Sequence, residues 1–323
     1  MTRLITSAIV VVLFASFPIG TNADTYERFT GIVDSSRSAA TTVVVQPTTL
    51  PETGQAGSRL LVFSRLPEST KAGQATHVLE SSLRNGAIRF VLDETLPFRP
   101  TVSRVSDSHV AVLSYWGANR SWFKSHPAIE IRALKDGERR EFRIEDILER
   151  IDDCVFVSRS TISWLKDACF SASGSSLYVA LWLKASDRPG VLNRLIRVDV
   201  SGGEILHVGE SSYREAMRQT TPNFHASLFD IAREENSEVL RDVANEVLGQ
   251  ESTTKHLRAH AAAYLYRVFD DQPAKRVLLG LRTELMNGPP ENELELKTIV
   301  HHFDDAHAFA DNILRESGRR PLN

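Results

Sequence analysis

From Thr25 to Val208, apolar residues recur with the period of β-strands. The segment AIEIRAL (Ala128–Leu134) alternates apolar side chains with Glu130 and Arg132, which predicts a strand with one face in water. The segment LYVALWL (Leu177–Leu183) is apolar on both faces, which predicts a strand in the middle of a packed sheet. The pattern therefore predicts a β-rich region that ends near residue 209.

Turn signals fall between the predicted strands. They are Asn85-Gly86, Asp136-Gly137 and Gly202-Gly203, dipeptides that favour the tight turns of β-hairpins. No segment between two strands reads as a helical crossover, so we expect antiparallel pairing. The exception to the strand pattern is IEDILER (Ile144–Arg150), which predicts a short helix inside the β region.

After residue 210 the apolar residues recur with the period of helices. The apolar stripes are Val239, Val243 and Val247; Leu257, Ala261, Leu265 and Val268; Val277, Leu281 and Leu285; and Ile299, Phe303, Ala306, Ala310 and Ile313. Helix boundaries agree with them, because Gly249 follows the first stripe, Thr253 could cap the second helix and Pro273 suits the first turn of the third. Helices that begin every roughly 16 to 19 residues indicate helical repeats.

Two regions of the chain resemble known families. LRAHAAAYLYRV (Leu257–Val268) resembles the second half of a HEAT-type unit, with an arginine followed by small residues and an apolar ladder. Four segments resemble parts of β-propellers in uncharacterised secreted bacterial proteins, namely VSDSHVAVLSYW, AIEIRALKDGERREFRIEDIL, SWLKDACFSASGSSLYVALWL and RLIRVDVSGGEIL. The second resemblance covers roughly residues 100 to 208, implies architecture and carries no known catalytic residues.

We therefore predict a multidomain β plus α protein. An antiparallel β-propeller-like (or sandwich) domain spans residues 24–209 and an α-helical HEAT-like repeat domain spans residues 210–323. At about 40 to 45 residues per blade, the β domain offers four blades at most. A closed propeller, a partial propeller and a curved sandwich all remain alternatives.

The first 23 residues have the pattern of a secretory leader. Arg3 supplies a positive charge, Leu4–Phe17 form an apolar run, and Thr21-Asn22-Ala23 ends in the small residues that signal peptidase favours. The run is shorter than the roughly 20 residues that a spanning helix needs. We predict a cleaved signal peptide over residues 1–23 and a secreted or periplasmic protein with no membrane span after cleavage.

The charge balance excludes one class of partner. The chain has 38 basic and 41 acidic residues, and the predicted leader contains one of the basic ones and none of the acidic ones. The mature chain is therefore close to neutral and has no electrostatic footprint for nucleic acid.

Two cysteines, Cys154 and Cys169, are the only ones in the chain. Export to an oxidising compartment and the strand-like flanks of both residues favour a disulfide, which would stabilise the fold by about 3 kcal/mol. The alternative is a pair of buried thiols that pack as small apolar side chains.

Motifs for chemistry are sparse. His256 and His260 lie one helical turn apart, but Leu257 stands where a zinc protease needs its glutamate, so we predict surface or groove histidines. The cluster HHFDDAH (His301–His307) could supply two zinc ligands and needs others from elsewhere, so we predict a solvated face and no metal. No GxSxG elbow and no GxxxxGK phosphate loop occurs, and we predict no cofactor.

The segment SYWGANRSWFKSHP (Ser114–Pro127) is the best candidate for a binding surface. It carries more aromatic rings than a hairpin connection needs, and aromatic loops often bind sugars or peptides. The candidate binding residues are Arg120, Trp122, Phe123 and His126. The alternative is that the rings fold back as a plug over the sheet, which is the role that we expect for Trp116.

These patterns favour a binding or scaffolding protein outside the cytoplasm, whose partner is a protein or an envelope polysaccharide. Two alternatives stay open. One is a secreted hydrolase with its site at a mouth of the β domain, where Asp152 and Asp153 are adjacent and so point to opposite faces of a strand. The other is a carbohydrate-binding protein of the cell envelope. The absence of a visible catalytic constellation favours a role without catalysis.

Overall fold

The chain divides into two compact units. The first, here the β unit, is Met1–Gly209 with Arg218–Thr221, and the second, the helical unit, is Glu210–Met217 with Pro222–Asn323. The computed structural model describes residues 32–38, 40–49, 56–65, 88–96, 100, 102–113, 127–148, 154, 156–157, 162–183, 194–250 and 252–286. The predicted leader and the predicted fourth helical stripe lie outside these residues.

Three four-stranded antiparallel sheets make up most of the described β unit, each with its strands in chain order. Sheet 1 consists of β1 (Ile32–Ser35), β2 (Thr41–Thr49), β3 (Ala56–Arg65) and β4 (Ile88–Leu96). Sheet 2 consists of β5 (Val102–Val105), β6 (His109–Leu113), β7 (Ile129–Ala133) and β8 (Arg139–Phe142). Sheet 3 consists of β11 (Leu165–Phe170), β12 (Ser176–Leu181), β13 (Leu195–Asp199) and β14 (Ile205–Val208).

Smaller elements lie between sheets 2 and 3 along the chain. They are helix α1 (Ile144–Ile147) and the strand pair β9 (Phe156–Val157) and β10 (Ile162–Ser163). The short helix that the sequence predicts after β8 is therefore confirmed, although it ends three residues earlier than IEDILER does. Its Ile144 and Ile147 are buried, so one apolar face fixes the helix against the β unit.

Apolar layers join neighbouring sheets. The layer between sheets 1 and 2 includes Val43, Val45, Leu60 and Val62 from the first sheet and Val105, Val110 and Val112 from the second. The layer between sheets 2 and 3 includes Leu113, Ile129 and Ile131 from the second sheet and Leu177, Val179, Ile196 and Val198 from the third. Sheet 2 is thus covered by apolar layers that use alternate residues of its strands.

This layering contradicts one prediction for AIEIRAL. The segment does form β7, but Glu130 and Arg132 are buried, with 0% and 5% of their surfaces exposed. The expected wet face lies against the layer that contains Val110 and Val112, the residues that pair with Arg132 and Glu130 in the ladder. The two opposite charges make this burial tolerable because they bind each other.

The predicted turns are confirmed where the structure describes them. Gly137 and Gly203 have φ angles of +75° and +71°, a left-handed conformation that glycine adopts without the strain of a Cβ. Both follow the dipeptide signals in the sequence, and both connect antiparallel strands. Asn85-Gly86 lies outside the described residues.

Helices fill the described part of the helical unit. They are α2 (Tyr213–Gln219, whose last two residues belong to the β unit), α3 (Pro222–Glu234), α4 (Arg241–Gly249), α5 (Lys255–Phe269) and α6 (Gln272–Met286). The stripes that begin at Leu257 and Val277 are thereby confirmed as helical. Of the first stripe, Val243 and Val247 lie in α4, and Val239 lies in the turn before it. The predicted cap at Thr253 is wrong by one residue, since Oγ1 of Thr254 accepts the amide N–H of Leu257 at 3.3 Å.

The prediction of antiparallel sheets together with α-helices is confirmed. Within the described part of the chain, no helix combines the length and the apolar character that crossing a lipid bilayer requires.

Candidate functional site

A serine-containing turn joins the first two strands of each sheet. Ser36, Ser106 and Ser171 occupy its first position, and all three are buried. In sheet 3, the amide of Ser171 donates to the carbonyl of Ser176 at 2.8 Å, and Oγ of Ser171 accepts the Ser176 amide at 3.1 Å. The same pair of bonds joins Ser36 with Thr41 and Ser106 with His109. The side chain thus closes each turn as a backbone group would.

The three turns lie beside one another in the β unit. Oγ of Ser38 in the first turn donates to Oδ1 of Asp107 in the second at 2.6 Å. A Cβ placed on Gly174 in the third turn would lie 3.0 Å from Oγ of Ser106 in the second. The first strands of the sheets therefore run in one direction and turn at one end, which we call the serine end.

The second strand of each sheet runs from the serine end to the opposite end of the sheet. β6 ends at Leu113 and β12 ends at Leu181, and because both begin at the serine end, both finish at the other end. We call this the tryptophan end, because Trp182 follows β12 directly with 40% of its surface exposed. Trp182 is the only exposed large hydrophobic side chain among the described residues.

The backbone around Trp182 is held firmly. Its amide donates to the carbonyl of Trp164 at 2.7 Å, and Trp164 itself is buried. The next carbonyl, that of Leu183, accepts a hydrogen bond from Nη1 of the buried Arg194 at 2.5 Å. Trp182 is therefore an aromatic side chain on a fixed frame, which is how binding surfaces present aromatic anchors.

The predicted binding residues Arg120, Trp122, Phe123 and His126 lie outside the described residues, as does Trp116. The connection that contains them begins after Leu113 and returns at the buried Pro127. Leu113 pairs with Ile129 across β6 and β7, so both ends of this connection are at the tryptophan end. The assignment of these four residues to a surface stays a prediction.

A charged cluster connects the first strands. In sheet 2, Arg104 donates through Nε to the carbonyl of Ala168 at 2.6 Å and through Nη2 to Oδ1 of Asp167 at 2.7 Å. In sheet 1, Oδ2 of Asp34 accepts the amide of Val105 at 3.0 Å. Burial alone would lower the pKa of Arg104, but Asp167 and Asp34 outweigh it and raise the pKa. The cluster therefore holds a permanent cation that ties the second sheet to the third.

The predicted disulfide is wrong. Cys154 and Cys169 are both buried, and no disulfide joins them. Sγ of Cys169 lies 3.5 Å from Oγ1 of Thr221, and Cys154 pairs by a backbone bridge with Leu183. Burial raises the pKa of the Cys169 thiol, so the unreactive protonated form dominates. The alternative of two buried thiols is the one that the structure supports.

His260 contradicts the prediction of surface or groove histidines. It lies in α5 with 3% of its surface exposed, and its Nδ1 lies 2.9 Å from Oδ1 of Asp230 in α3, which is equally buried. Arg233 approaches the same carboxylate oxygen at 3.2 Å. The ring of His256 lies edge-on to that of His260 with centroids 4.6 Å apart. The carboxylate fixes the orientation of the His260 ring.

Other candidates for chemistry gain no support. HHFDDAH and the pair Asp152 and Asp153 lie outside the described residues. Among the described residues, no group of three or more histidine, cysteine, aspartate or glutamate side chains is arranged to hold a metal ion. Arg104 and Asp230 are engaged in ion pairs, with Asp167 and with Arg233 respectively.

Comparisons with known proteins add little. No protein-family model and no curated protein matches the chain. Among solved structures, the chain is similar to the crystal structure of HIRA residues 644–1017, at 12% identity over 77% of this chain and 94% of that chain, with a TM-score of 0.26. A TM-score of this size does not establish a shared fold.

Some features of this site had weak signals in the sequence. Trp182 is part of LYVALWL and was counted as a buried position, although the last residues of a strand often leave the sheet. The Asp230–His260 pair joins two helices that are 30 residues apart, and no spacing rule connects them. The repeated serine turns were visible only as loose turn chemistry.

Proposed function

We propose that the protein is a binding or scaffolding protein outside the cytoplasm, whose binding surface is the tryptophan end of the β unit. Residues 1–23 act as a cleaved signal peptide, and the three sheets belong to a β-propeller-like domain of residues 24–209. The helices of residues 210–323 form a HEAT-like repeat domain. The partner is a protein or an envelope polysaccharide.

The exposed side chain of Trp182 is the observation that carries this proposal. Trp182 has 40% of its surface exposed, so packing inside the protein does not account for this large apolar side chain. Hydrogen bonds hold the backbone on both sides of it. Indole rings supply large contact areas at little loss of conformational entropy, and they are enriched among binding hot spots. The connection with Arg120, Trp122 and Phe123 leaves from the same end, which would extend the surface.

Arg104, Glu130 and Asp230 form ion pairs inside the protein, and this favours a binding role over hydrolysis. A hydrolase needs a nucleophile or a general base that faces a reacting group. Arg104 instead forms an ion pair that joins sheets 2 and 3, and Glu130 forms one that joins two strands of sheet 2. The pair Asp230–His260 is buried between two helices, and a substrate could not reach it without their separation.

The test measures binding by the mature protein and by a Trp182→Ala variant. The probes are purified peptidoglycan and soluble envelope polysaccharide for the sugar class. For the protein class, a photo-crosslinking amino acid at position 182 is exposed to a periplasmic extract. The substitution should weaken binding by about tenfold or more, while the free energy of unfolding changes by no more than about 1 kcal/mol.

A matched control is Lys135→Ala, at an exposed turn of the serine end. It should leave both binding and stability unchanged. Saturable binding that Trp182→Ala does not weaken would contradict the proposed surface. Release of sugar or peptide products from the probes, with turnover, would establish the hydrolase instead.

A further inference from the structure

A network of five charged side chains crosses the layer between sheets 1 and 2. Arg132 of β7 binds Glu130 on its own strand and also Glu94 of β4 in sheet 1. On the other side, Nη2 of Arg139 in β8 lies 2.7 Å from Oε2 of Glu130 and 2.6 Å from Oε1 of Glu141. Glu130 is therefore the central carboxylate, with an arginine on each side.

Solvent reaches the ends of this network and not its centre. The side chains of Glu94, Arg139 and Glu141 are 37%, 45% and 46% exposed, whereas that of Glu130 is 0% exposed. A buried carboxylate loses its hydration, and its ionised form then depends on its neighbours alone. Of the five groups, Glu130 is thus the one for which gaining a proton changes the energy most.

We propose that Glu130 is the proton-sensitive part of a latch between sheets 1 and 2. When Glu130 is ionised, three carboxylates face two guanidinium groups and the network has a net negative charge. When Glu130 takes up a proton, the network becomes neutral and Arg132 is left to pair with Glu94, the link across the layer. Mild acidity therefore tightens the contact between β4 and β7, and loss of the proton loosens it.

The groups that face Glu130 support this behaviour. β7 contributes Arg132, β8 contributes Arg139 and Glu141, and β6 contributes an apolar valine at the paired position, while Glu94 of β4 binds Arg132. Burial raises the pKa of Glu130 to about 7 from 4.5, although Arg139 opposes the shift. Because the folded state holds this proton more tightly than the unfolded state does, the stability that it contributes is lost as pH rises from 4.5 to about 7.

The first test measures hydrogen exchange of the β4 and β7 amides in the full chain at about pH 6 and about pH 8. After correction for the intrinsic exchange rates, the opening equilibrium should be about tenfold larger at the higher pH. In Glu130→Gln, which imitates the protonated carboxyl, this difference should disappear. Glu138→Gln is the matched control, since Glu138 is an exposed neighbour that pairs with Arg140 at 3.0 Å, and it should keep the tenfold difference.

Two further measurements keep the proposal testable if Glu130→Gln does not fold. Carbon-13 NMR of the wild-type chain should show that the Glu130 carboxyl titrates with a midpoint near 7. Glu94→Gln should increase opening at both pH values, because it removes the link to sheet 1. The proposal is overturned by a midpoint below about 5, by an unchanged tenfold difference in Glu130→Gln, or by no effect of Glu94→Gln.

Discussion

The thiols of Cys154 and Cys169 are shielded from solvent, and this burial decides how they react. Cys169 is 6% exposed and its thiol pKa is raised by burial, while Cys154 is 0% exposed. A protonated, buried thiol is a poor nucleophile towards an alkylating reagent. Both residues should therefore behave as small apolar side chains in the folded protein.

We expect both cysteines to be alkylated once the protein is unfolded in urea without a reductant, and to react slowly in the folded state. Intact-mass spectrometry counts the added groups. A sample treated with reductant before unfolding is the control and should gain the same mass. A chain that accepts no alkyl group without reductant would contain the disulfide that the structure lacks.

The Asp230–His260 pair is a second residue-scale test. Asp230 is 3% exposed and accepts from both His260 and Arg233. Asp230→Ala should lower the free energy of unfolding by about 2 to 3 kcal/mol, because buried polar groups lose their charged partner. Urea unfolding measures this change. Asp242→Ala is the control, since Asp242 binds Arg214 with 79% of its side chain exposed, and it should cost less than about 1 kcal/mol.

For single residues, the sequence pattern predicts which side chains lie on the same face of a strand. It does not predict whether that face meets solvent or another part of the protein. The alternation in AIEIRAL located β7 correctly, yet it assigned Glu130 and Arg132 to water. Alternation arises whenever the two faces of a strand differ, whether the second face meets solvent or a charged pair inside the protein. Opposite charges two residues apart on one strand face were the only hint of the pair.

At the scale of elements, each of the three sheets has the same serine-containing turn between its first two strands. Gly174 has a φ of +71°, and a Cβ placed on it would lie 3.0 Å from Oγ of Ser106 in the neighbouring turn, whereas Gly137 has a φ of +75° and a Cβ placed on it would have no atom within 4 Å. The two glycines therefore share the same backbone conformation and differ in their surroundings. Alanine at Gly137 therefore tests the cost of the left-handed conformation alone, and alanine at Gly174 tests that cost together with the packing between sheets.

We expect Gly137→Ala to lower the free energy of unfolding by about 1 kcal/mol, from the left-handed conformation alone. Gly174→Ala should lower it by at least about 1 kcal/mol more, because the added methyl group must displace Ser106. Chemical denaturation of both variants gives the comparison. Equal losses would mean that the contact between the second and third turns contributes nothing.

Element types were the most predictable level of this fold. Strong periods identified β7, β12, α4, α5 and α6, since long apolar stripes and alternations are local signals. Helix α3 was not predicted, although eight of its residues are buried, because the apolar residues of PNFHASLFDIARE surround Asp230 and His225. The cap at Thr254 was displaced by one residue because adjacent threonines offer the same chemistry.

At the scale of the whole molecule, the layered order of the sheets could not be read from the sequence. Each layer joins residues from different hairpins, and such contacts leave no local period. The estimate of four blades at most allowed more sheets than the three four-stranded ones that the structure describes. The candidate surface illustrates the same limit, since Trp182 and Leu113 lie at the same end of their sheets only because the first strands run side by side.

Arg104 holds that side-by-side arrangement, and it gives the last prediction. Its guanidinium group bonds to Ser103, Asp167 and the carbonyl of Ala168, and 27% of the side chain is exposed. Arg104→Ala should lower the free energy of unfolding by about 2 to 3 kcal/mol, since it leaves a half-buried carboxylate and a carbonyl without their donor. Hydrogen exchange should increase in β5 and β11, where sheets 2 and 3 meet.

Arg143→Ala is the matched control for this change. Arg143 is 60% exposed and pairs only loosely with Glu145 at 3.7 Å, so its removal should change stability by less than about 0.5 kcal/mol. If Arg104→Ala changed no more than this control, the apolar layer alone would hold the sheets in order. If exchange rose in β5 and β11 and binding at Trp182 weakened as well, the alignment of first strands would be what builds the tryptophan end.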